Sequence, residues 1–278
     1  MNPSAPARIA AAINRRYGEA VEVPTGVSDA LAAMNERSVC RRYRAAPVPE
    51  PLLRLLFATA LASPTKSDLQ QASVVRVSSP ADRAAIHALL PGSPWIAAAP
   101  EFLVFCGDGF RLRRIFERRG REFPNEHLDA FFNAAVDGAI VLSTFVQAAG
   151  LAGLGSCPIS EIRNHAQTIA EMLALPDWVF PIAGLTLGWP DGYEPFSPRL
   201  ALTATVHEGR YEASRVDREL DEYDDRRIRD RPYRRQRLPE RFGTADRYGW
   251  TEDKARQYSE PQRADFGAFV RRKRYRLE

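Results

Sequence analysis

Apolar positions along this chain recur at helical spacing, alternate at strand spacing or run unbroken, and each pattern predicts a different element. Leu31 and Met34 lie three apart on one side of SDALAAMNER, predicting a helix from about Asp29 with Ser28 placed to cap it. Pro49 opens a second helix, EPLLRLLFATALAS. Its Leu52, Leu53, Leu55, Leu56, Ala60 and Leu61 make a wide apolar face before Pro64 closes it. SVVRVSS (73–79) alternates like a strand, and Pro80-Ala81-Asp82 starts a helix running through Leu90. EFLVFCGD (101–108) and WVFPIAGLTLGWP (178–190) are continuous apolar runs, expected of strands buried on both faces.

Between those two strands, RLRRIFERRGREF reads as a charged helical lid or insertion. HLDAFFNAAVDGAIVLSTFVQAAGLAG is the longest and most apolar helical pattern, GLGSCPIS enters a short strand, and RNHAQTIAEMLALP is amphipathic. After Pro198 the strand-like ALTATVHEGRY gives way to a polar, Arg-rich segment that ends in a short helix, QRADFGAFVRRKR. Helices alternating with strands around one apolar helix predict an α+β fold with a mixed sheet and a C-terminal arm. The uncharged stretch 138–160 reads as buried helix, turn and strand rather than a membrane span, because Ser143, Thr144, Gln147 and glycines interrupt it.

At 278 residues and 45% apolar content the chain can bury a substantial core. Cys40, Cys106 and Cys157 are odd in number with no CxxC spacing, and the four histidines are scattered. That pattern implies thiols in a reducing compartment, the cytoplasm, and no metal site. The N-terminal apolar patch is broken by Arg8, Arg15 and Arg16, so a secretory signal is not expected. The net charge of +4 is uneven. Residues 209–278 hold 20 basic and 15 acidic side chains, and the rest of the chain 19 and 20. A basic tail raises nucleic acid as a partner, but the interleaved acids of DRELDEYDDRR argue against a continuous phosphate-tracking stripe.

The sequence carries no recognisable pattern of catalytic side chains. Gly155-Ser156-Cys157 is not a nucleophile elbow. Asp224-Asp225 and Glu252-Asp253 lie on polar segments that read as solvated faces. Gly150, Gly153 and Gly155 follow a helix instead of a strand, so they are not a dinucleotide fingerprint. What remains is a cofactor that carries its own chemistry, held through its phosphate by guanidinium forks. Arg37-Ser38 and Arg41-Arg42 are suitable donors, and Arg37 and Arg41, four apart on a helix end, would share a face.

RSVCRRYRAAPVPEPLLRLL, SPTKSDLQ before SVVRV, WIAAAPEFLVFCGD, VDGAIVLSTFVQAAGLAGLGS and IAEMLALPDWVFPIAGLTLGWP together resemble, in order, the FMN-dependent nitroreductase family. SPRLALTATVHEGRY is similar to a segment of its branch of larger oxygen-insensitive nitroreductases and flavin reductases, which carries a long C-terminal extension.

The resemblance implies an intertwined homodimer with a helical preface (1–34), an FMN-binding core (35–191) and an extension (192–278) that wraps the partner subunit. It places FMN-phosphate and ribityl contacts on Arg37, Ser38, Arg41 and Arg199. Thr65 and Gln70 would line the flavin, and Pro158, Ile159, Ser160 and Glu161 form the turn near its N5. Arg247 is the candidate for the 2′-phosphate of NADPH.

The activity implied is ping-pong hydride transfer from NADPH or NADH through FMN to nitroaromatics, quinones or flavins, with no catalytic side chain, no metal and no membrane. An acceptor special to this chain, or a basic-tailed binding protein without redox activity, are the alternatives. Against the family pattern, Ser93 stands for a Gln, Ser197 for a Lys, and Ser160-Glu161 for Gly-Gly. An ungapped register of the first motif puts Arg37 on a His, whereas a one-residue shift restores Arg37-Ser38 and loses Arg41.

Overall fold

The computed structural model describes residues 3–278. Its helices are α1 (Ala5–Tyr17), α2 (Asp29–Glu36), α3 (Glu50–Leu61), α4 (Pro80–Leu89), α5 (Trp95–Ala98), α6 (Phe110–Arg118), α7 (Leu128–Leu151), α8 (Ala166–Met172), α9 (Leu202–Thr205), α10 (Val216–Asp230), α11 (Pro239–Phe242), α12 (Trp250–Gln257) and α13 (Phe266–Arg272). The strands are β1 (Ala72–Arg76), β2 (Glu101–Asp108), β3 (Gly155–Ile159) and β4 (Val179–Gly188). The chain divides into two compact units. The smaller joins the residues up to Ser38 to Pro195–Gln262, and the larger joins Val39–Glu194 to Arg263–Glu278.

The larger unit is built on one four-stranded sheet in the order β1-β2-β4-β3. All three pairings are antiparallel, where a mixed sheet was expected. Each connection runs through helices, and a crossover that long lets the chain re-enter the sheet from either end. Strand order and sense are therefore not written in the helix–strand alternation.

Every residue of β2 is buried, and its side chains alternate between two cores. Leu103 and Phe105 pack with Leu53, Leu56 and Phe145 of α3 and α7 on one face. Phe102, Val104 and Cys106 pack with Ile86, Ile96 and Ile169 of α4, α5 and α8 on the other.

Helix α7 is long and apolar enough to cross a membrane by length and composition. It buries Ala134, Gly138, Val141, Phe145 and Ala149 in an i, i+4, i+7 stripe against the sheet unit's core. Gly138 permits the close approach, since a Cβ there would stand 2.9 Å from the Cys106 carbonyl oxygen. The last residues of the chain return to this unit, where Tyr275 donates its hydroxyl to Trp178 O (2.7 Å) and accepts from Gly109 N–H (3.1 Å).

Burial pushes the Cys106 thiol up to about 12. The folded chain thus keeps a proton that an unfolded chain, with an ordinary thiol, releases near pH 9. Above that pH the unfolded state binds fewer protons, so stability falls, by at most about 1.4 kcal/mol per pH unit for one group. We expect the urea midpoint to decline between pH 9 and 11, and Cys106→Ala to flatten that slope; equal slopes would remove the assignment.

In the smaller unit, Ser28 caps α2 as expected, its hydroxyl accepting from Leu31 N–H (3.2 Å). ALTATVHEGRY is not a strand. Glu19 accepts the Leu202 N–H (2.8 Å), capping a helical turn at Leu202–Thr205 instead. The polar tail also holds a fifteen-residue helix, α10. Its buried side includes Glu219, Tyr223 and Asp224, so it shows no apolar period.

Candidate functional site

The first arginine motif does not lie on a helix. Helix α2 stops at Glu36, Arg37 is its C-cap with ψ of 132°, and the chain beyond runs extended. Within the larger unit this extended segment lies beside β3 and the end of β4. Cys40 N–H donates to Ser156 O (3.0 Å), Arg44 N–H to Trp189 O (2.9 Å), and Tyr43 bridges to Pro190. Arg41 and Arg42 therefore stand on an irregular segment with one isolated bridge, at Tyr43, and Arg37 and Arg41 share no helix face.

The Arg41 guanidinium stacks on the Trp95 ring at 4.5 Å and lies close enough to the Cys157 thiol for its charge to act on it. Burial pushes that thiol up and Arg41 pulls it back, with the net shift upward. Cys157 is thus held as a neutral thiol, unsuited to nucleophilic work. Trp95 follows Ser93, and Ser93 Oγ donates to Glu161 Oε2 at 3.1 Å. Two of the family departures, Ser93 and Glu161, are consequently one hydrogen-bonded pair. Pro158 and Ile159 end β3, and Ser160 and Glu161 open a 3-10 turn through His165. Arg263 donates to the Ser160 carbonyl (3.4 Å), tying the C-terminal segment to that turn.

Thr65 and Gln70 belong to a different edge. They flank a loop before β1, whereas the Pro158–Glu161 turn follows β3, and β1 and β3 are the outermost strands. Three strand spacings, about 14 Å, separate those edges. The loop is tightly wound, with Ser67, Asp68 and Gln70 in the left-handed region at φ of 49°, 56° and 51°. Non-glycine residues hold such angles only where their surroundings enforce them.

Two side chains that sequence reasoning passed over do the enforcing. Asp137 of α7, 1% exposed, accepts from Lys66 N–H (3.1 Å) and Gln71 N–H (3.0 Å), one with each carboxylate oxygen. Arg111 of α6 donates to Gln70 O (2.5 Å), Ala72 O (2.6 Å) and Ser73 Oγ (2.8 Å) and pairs with Asp108 (2.6 Å). Asp137 could have been noticed as the lone charge between Asp129 and Glu161. Arg111 had no signal beyond membership of a charged helix.

Beside the loop is a cavity of about 390 Å³, walled by Phe57, Leu61, Val74 and Val141 with Thr65 and Gln70 at its polar side. Gln71, 2% exposed, also lines it, and its side-chain nitrogen has no partner among the described residues. The cavity can accept a flat apolar body and offer it one amide donor.

In the smaller unit the structure brings Arg37 and Arg199 to one residue that the sequence reading did not single out. Arg16 donates from Nε to Asn35 O (3.0 Å) and from its terminal nitrogen to Arg37 O, while Arg199 N–H donates to Arg16 O (2.6 Å). Burial, and then the charges of Arg199 and Arg37, pull the Arg16 guanidinium below its usual range. Gathered like charges of this kind suit a dianionic phosphate.

The tail is less available than its charge suggests. Arg247 pairs with Asp225 (2.7 Å) and Asp221 (3.7 Å), Arg237 with Asp253 (3.1 Å), and Arg241 with Glu260 (3.3 Å). Asp224 and Asp253, read as solvated, are 2% and 1% exposed. Asp224 accepts from Thr251 N–H at 3.0 Å, and Asp253 pairs with Arg237 and Lys254. Both are spent on holding helices in place.

Residues 34–189 match the model of the nitroreductase family, and residues 197–278 match that of the family's C-terminal domain. The chain is 32% identical to the FMN reductase [NAD(P)H] of Bacillus subtilis over 188 residues, covering 66% of this chain and 75% of that protein. It is 33% identical to the oxygen-insensitive NADPH nitroreductase of Salmonella typhimurium over 192 residues, covering 66% and 77%. Among solved structures, the hypothetical oxidoreductase YcnD from Bacillus subtilis superposes with a TM-score of 0.82 at 25% identity, over 91% of this chain and 100% of that one.

Proposed function

This chain belongs to the nitroreductase family, and from that premise we propose that it is an FMN-dependent NAD(P)H oxidoreductase acting on nitroaromatic, quinone or flavin acceptors. The observation that carries the reading is the tie that Arg16 makes to the main chain of both Arg37 and Arg199, which brings three arginines onto neighbouring segments suited to a phosphate dianion. The donor set fits FMN, and relatives named FMN reductase and NADPH nitroreductase support the same assignment.

The chemistry FMN supplies when bound is two-electron transfer between a reduced nicotinamide and an electron acceptor. Arg37, Ser38 and Arg199 hold its phosphate and Arg41 its polar flank, while Thr65 and Gln70 line the ring. After Pro158 and Ile159 end β3, the first N–H groups of the turn, those of Ser160 and Glu161, have no turn carbonyl to bind and would donate toward an electron-rich ring edge. No side-chain acid or nucleophile is required, because positioning and exclusion of water are what this chain contributes.

The opposite-edge placement of the Thr65–Gln70 loop and the Pro158–Glu161 turn supports a homodimer in which each cofactor takes the loop from one protomer and the turn from its partner. An apolar stripe on α7, Leu128, Phe132 and Val136, supports the same arrangement, since it stays exposed in the single chain. Residues 35–191 form the cofactor core and 1–34 a preface. Of the 192–278 extension, the part up to Gln262 reaches for the partner. Arg247 is the candidate for an NADPH 2′-phosphate, which would take the place of Asp221 and Asp225. Three buried free thiols fit a cytoplasmic enzyme.

The test is colour. The purified protein is expected to be yellow, with flavin absorbance that NADPH or NADH bleaches under anaerobic conditions. A colourless protein that also fails to take up added FMN would overturn the reading.

A further inference from the structure

We propose that Arg16 is a positioning residue for the cofactor phosphate, tying the segments that carry Arg37 and Arg199 into one anion anchor. The inference rests on the reading above. It concerns a helix, α1, that precedes the stretch matched by the family model.

Arg16 sits in the last turn of α1, which ends at once on Gly18 in the left-handed conformation (φ 73°). Its guanidinium fork spans two carbonyls, Asn35 O at 3.0 Å and Arg37 O. Both belong to the C-terminal end of α2, where carbonyls lack helical partners and the helix dipole favours a cation. Its own main-chain carbonyl accepts from Arg199 N–H at 2.6 Å. One residue therefore fixes the backbone at both proposed phosphate-binding arginines.

The placement is braced from below, where the rings and charges leave Arg16 little freedom. The Phe196 ring, three residues before Arg199, lies under the guanidinium groups of Arg15 and Arg16 at 4.4 and 4.6 Å. The acids of α2 are engaged elsewhere: Arg8 takes Asp29 (2.8 Å) and Glu36 (2.5 Å). Among the described residues Arg16 makes no ion pair, so its charge adds to the field of the anchor.

The experiment measures Kd for FMN and for riboflavin, which lacks the phosphate, by flavin fluorescence in the full chain, in Arg16→Met and in Arg16→Lys. Arg16→Met keeps the packing and removes the fork. We expect FMN to bind about tenfold more weakly and riboflavin as before, with Arg16→Lys in between because one ammonium cannot span both carbonyls. Unchanged FMN affinity, or FMN and riboflavin weakened alike, would overturn the proposal. If Arg16→Met does not fold, the FMN-to-riboflavin ratio of Arg16→Lys decides alone. An unaltered chain that binds no FMN would instead defeat the functional reading itself, which keeps the two failures apart.

Discussion

Replacing Asp137 by asparagine is expected to cost about 2–4 kcal/mol, because a buried acceptor of two backbone N–H groups becomes a half-donor facing one of them. For a protein of this length that corresponds to a fall in melting temperature of roughly 3–7 °C. The larger effect should be on the loop. Three consecutive-range residues, Ser67, Asp68 and Gln70, sit at positive φ between the two N–H groups that Asp137 holds. Left-handed backbone costs each of them about 1 kcal/mol or more.

With one latch gone, that cost favours relaxation. Thr65 Oγ1, which accepts the Gln70 N–H at 3.1 Å, and Arg111, which holds the Gln70 carbonyl, lose a fixed target. Turnover with a nitroaromatic acceptor should fall by more than about tenfold, as misplacement of positioning groups by a fraction of an ångström can produce. Thermal melting and steady-state rates on the same preparation check it. Asparagine with unaltered melting and unaltered turnover would show that the loop holds its shape without the carboxylate.

The second large effect concerns assembly. Leu128, Phe132 and Val136 follow one another at i, i+4, i+8 along α7, and Phe132 is 60% exposed. A charge at its centre, Phe132→Glu, should leave the fold of the single chain intact while opposing burial of that face against a second copy. Light scattering should then move from twice 31.1 kDa to 31.1 kDa. Bound flavin should be lost with the dimer, since loop and turn lie at opposite sheet edges. An unaltered chain that is already monomeric, or a variant that stays dimeric and yellow, would refute this.

The elements most legible from sequence are those whose burial is apolar. The continuous runs of β2 and β4 and the long α7 pattern state their environment residue by residue. Helix α10 was illegible because its buried side includes Glu219, Tyr223 and Asp224, of which Tyr223 and Asp224 are satisfied by partners far along the chain. The 202–205 turn looked like a strand until Glu19, from the other end of the sequence, capped it.

The candidate site divides the same way. Arg37, Arg41, Thr65, Gln70 and the Pro158–Glu161 turn could be found as motifs, whereas the groups that hold them could not. Arg16, Arg111 and Asp137 act through hydrogen bonds to backbone carbonyls or amides, and a backbone partner leaves no residue-type signature. Sequence spacing also placed Arg37 and Arg41 on a shared helix face, which the stop of α2 at Glu36 removes.

The sheet order carries one further consequence, for how damage is shared. A dimer built on β1-β2-β4-β3 would own two sites, each assembled from the β1 edge of one chain and the β3 edge of the other. A subunit crippled only before β1 and another crippled only after β3 would therefore complement. In their mixed pair both lesions fall in the same site and the second site is wholly intact, so two inactive parents give a half-active hybrid.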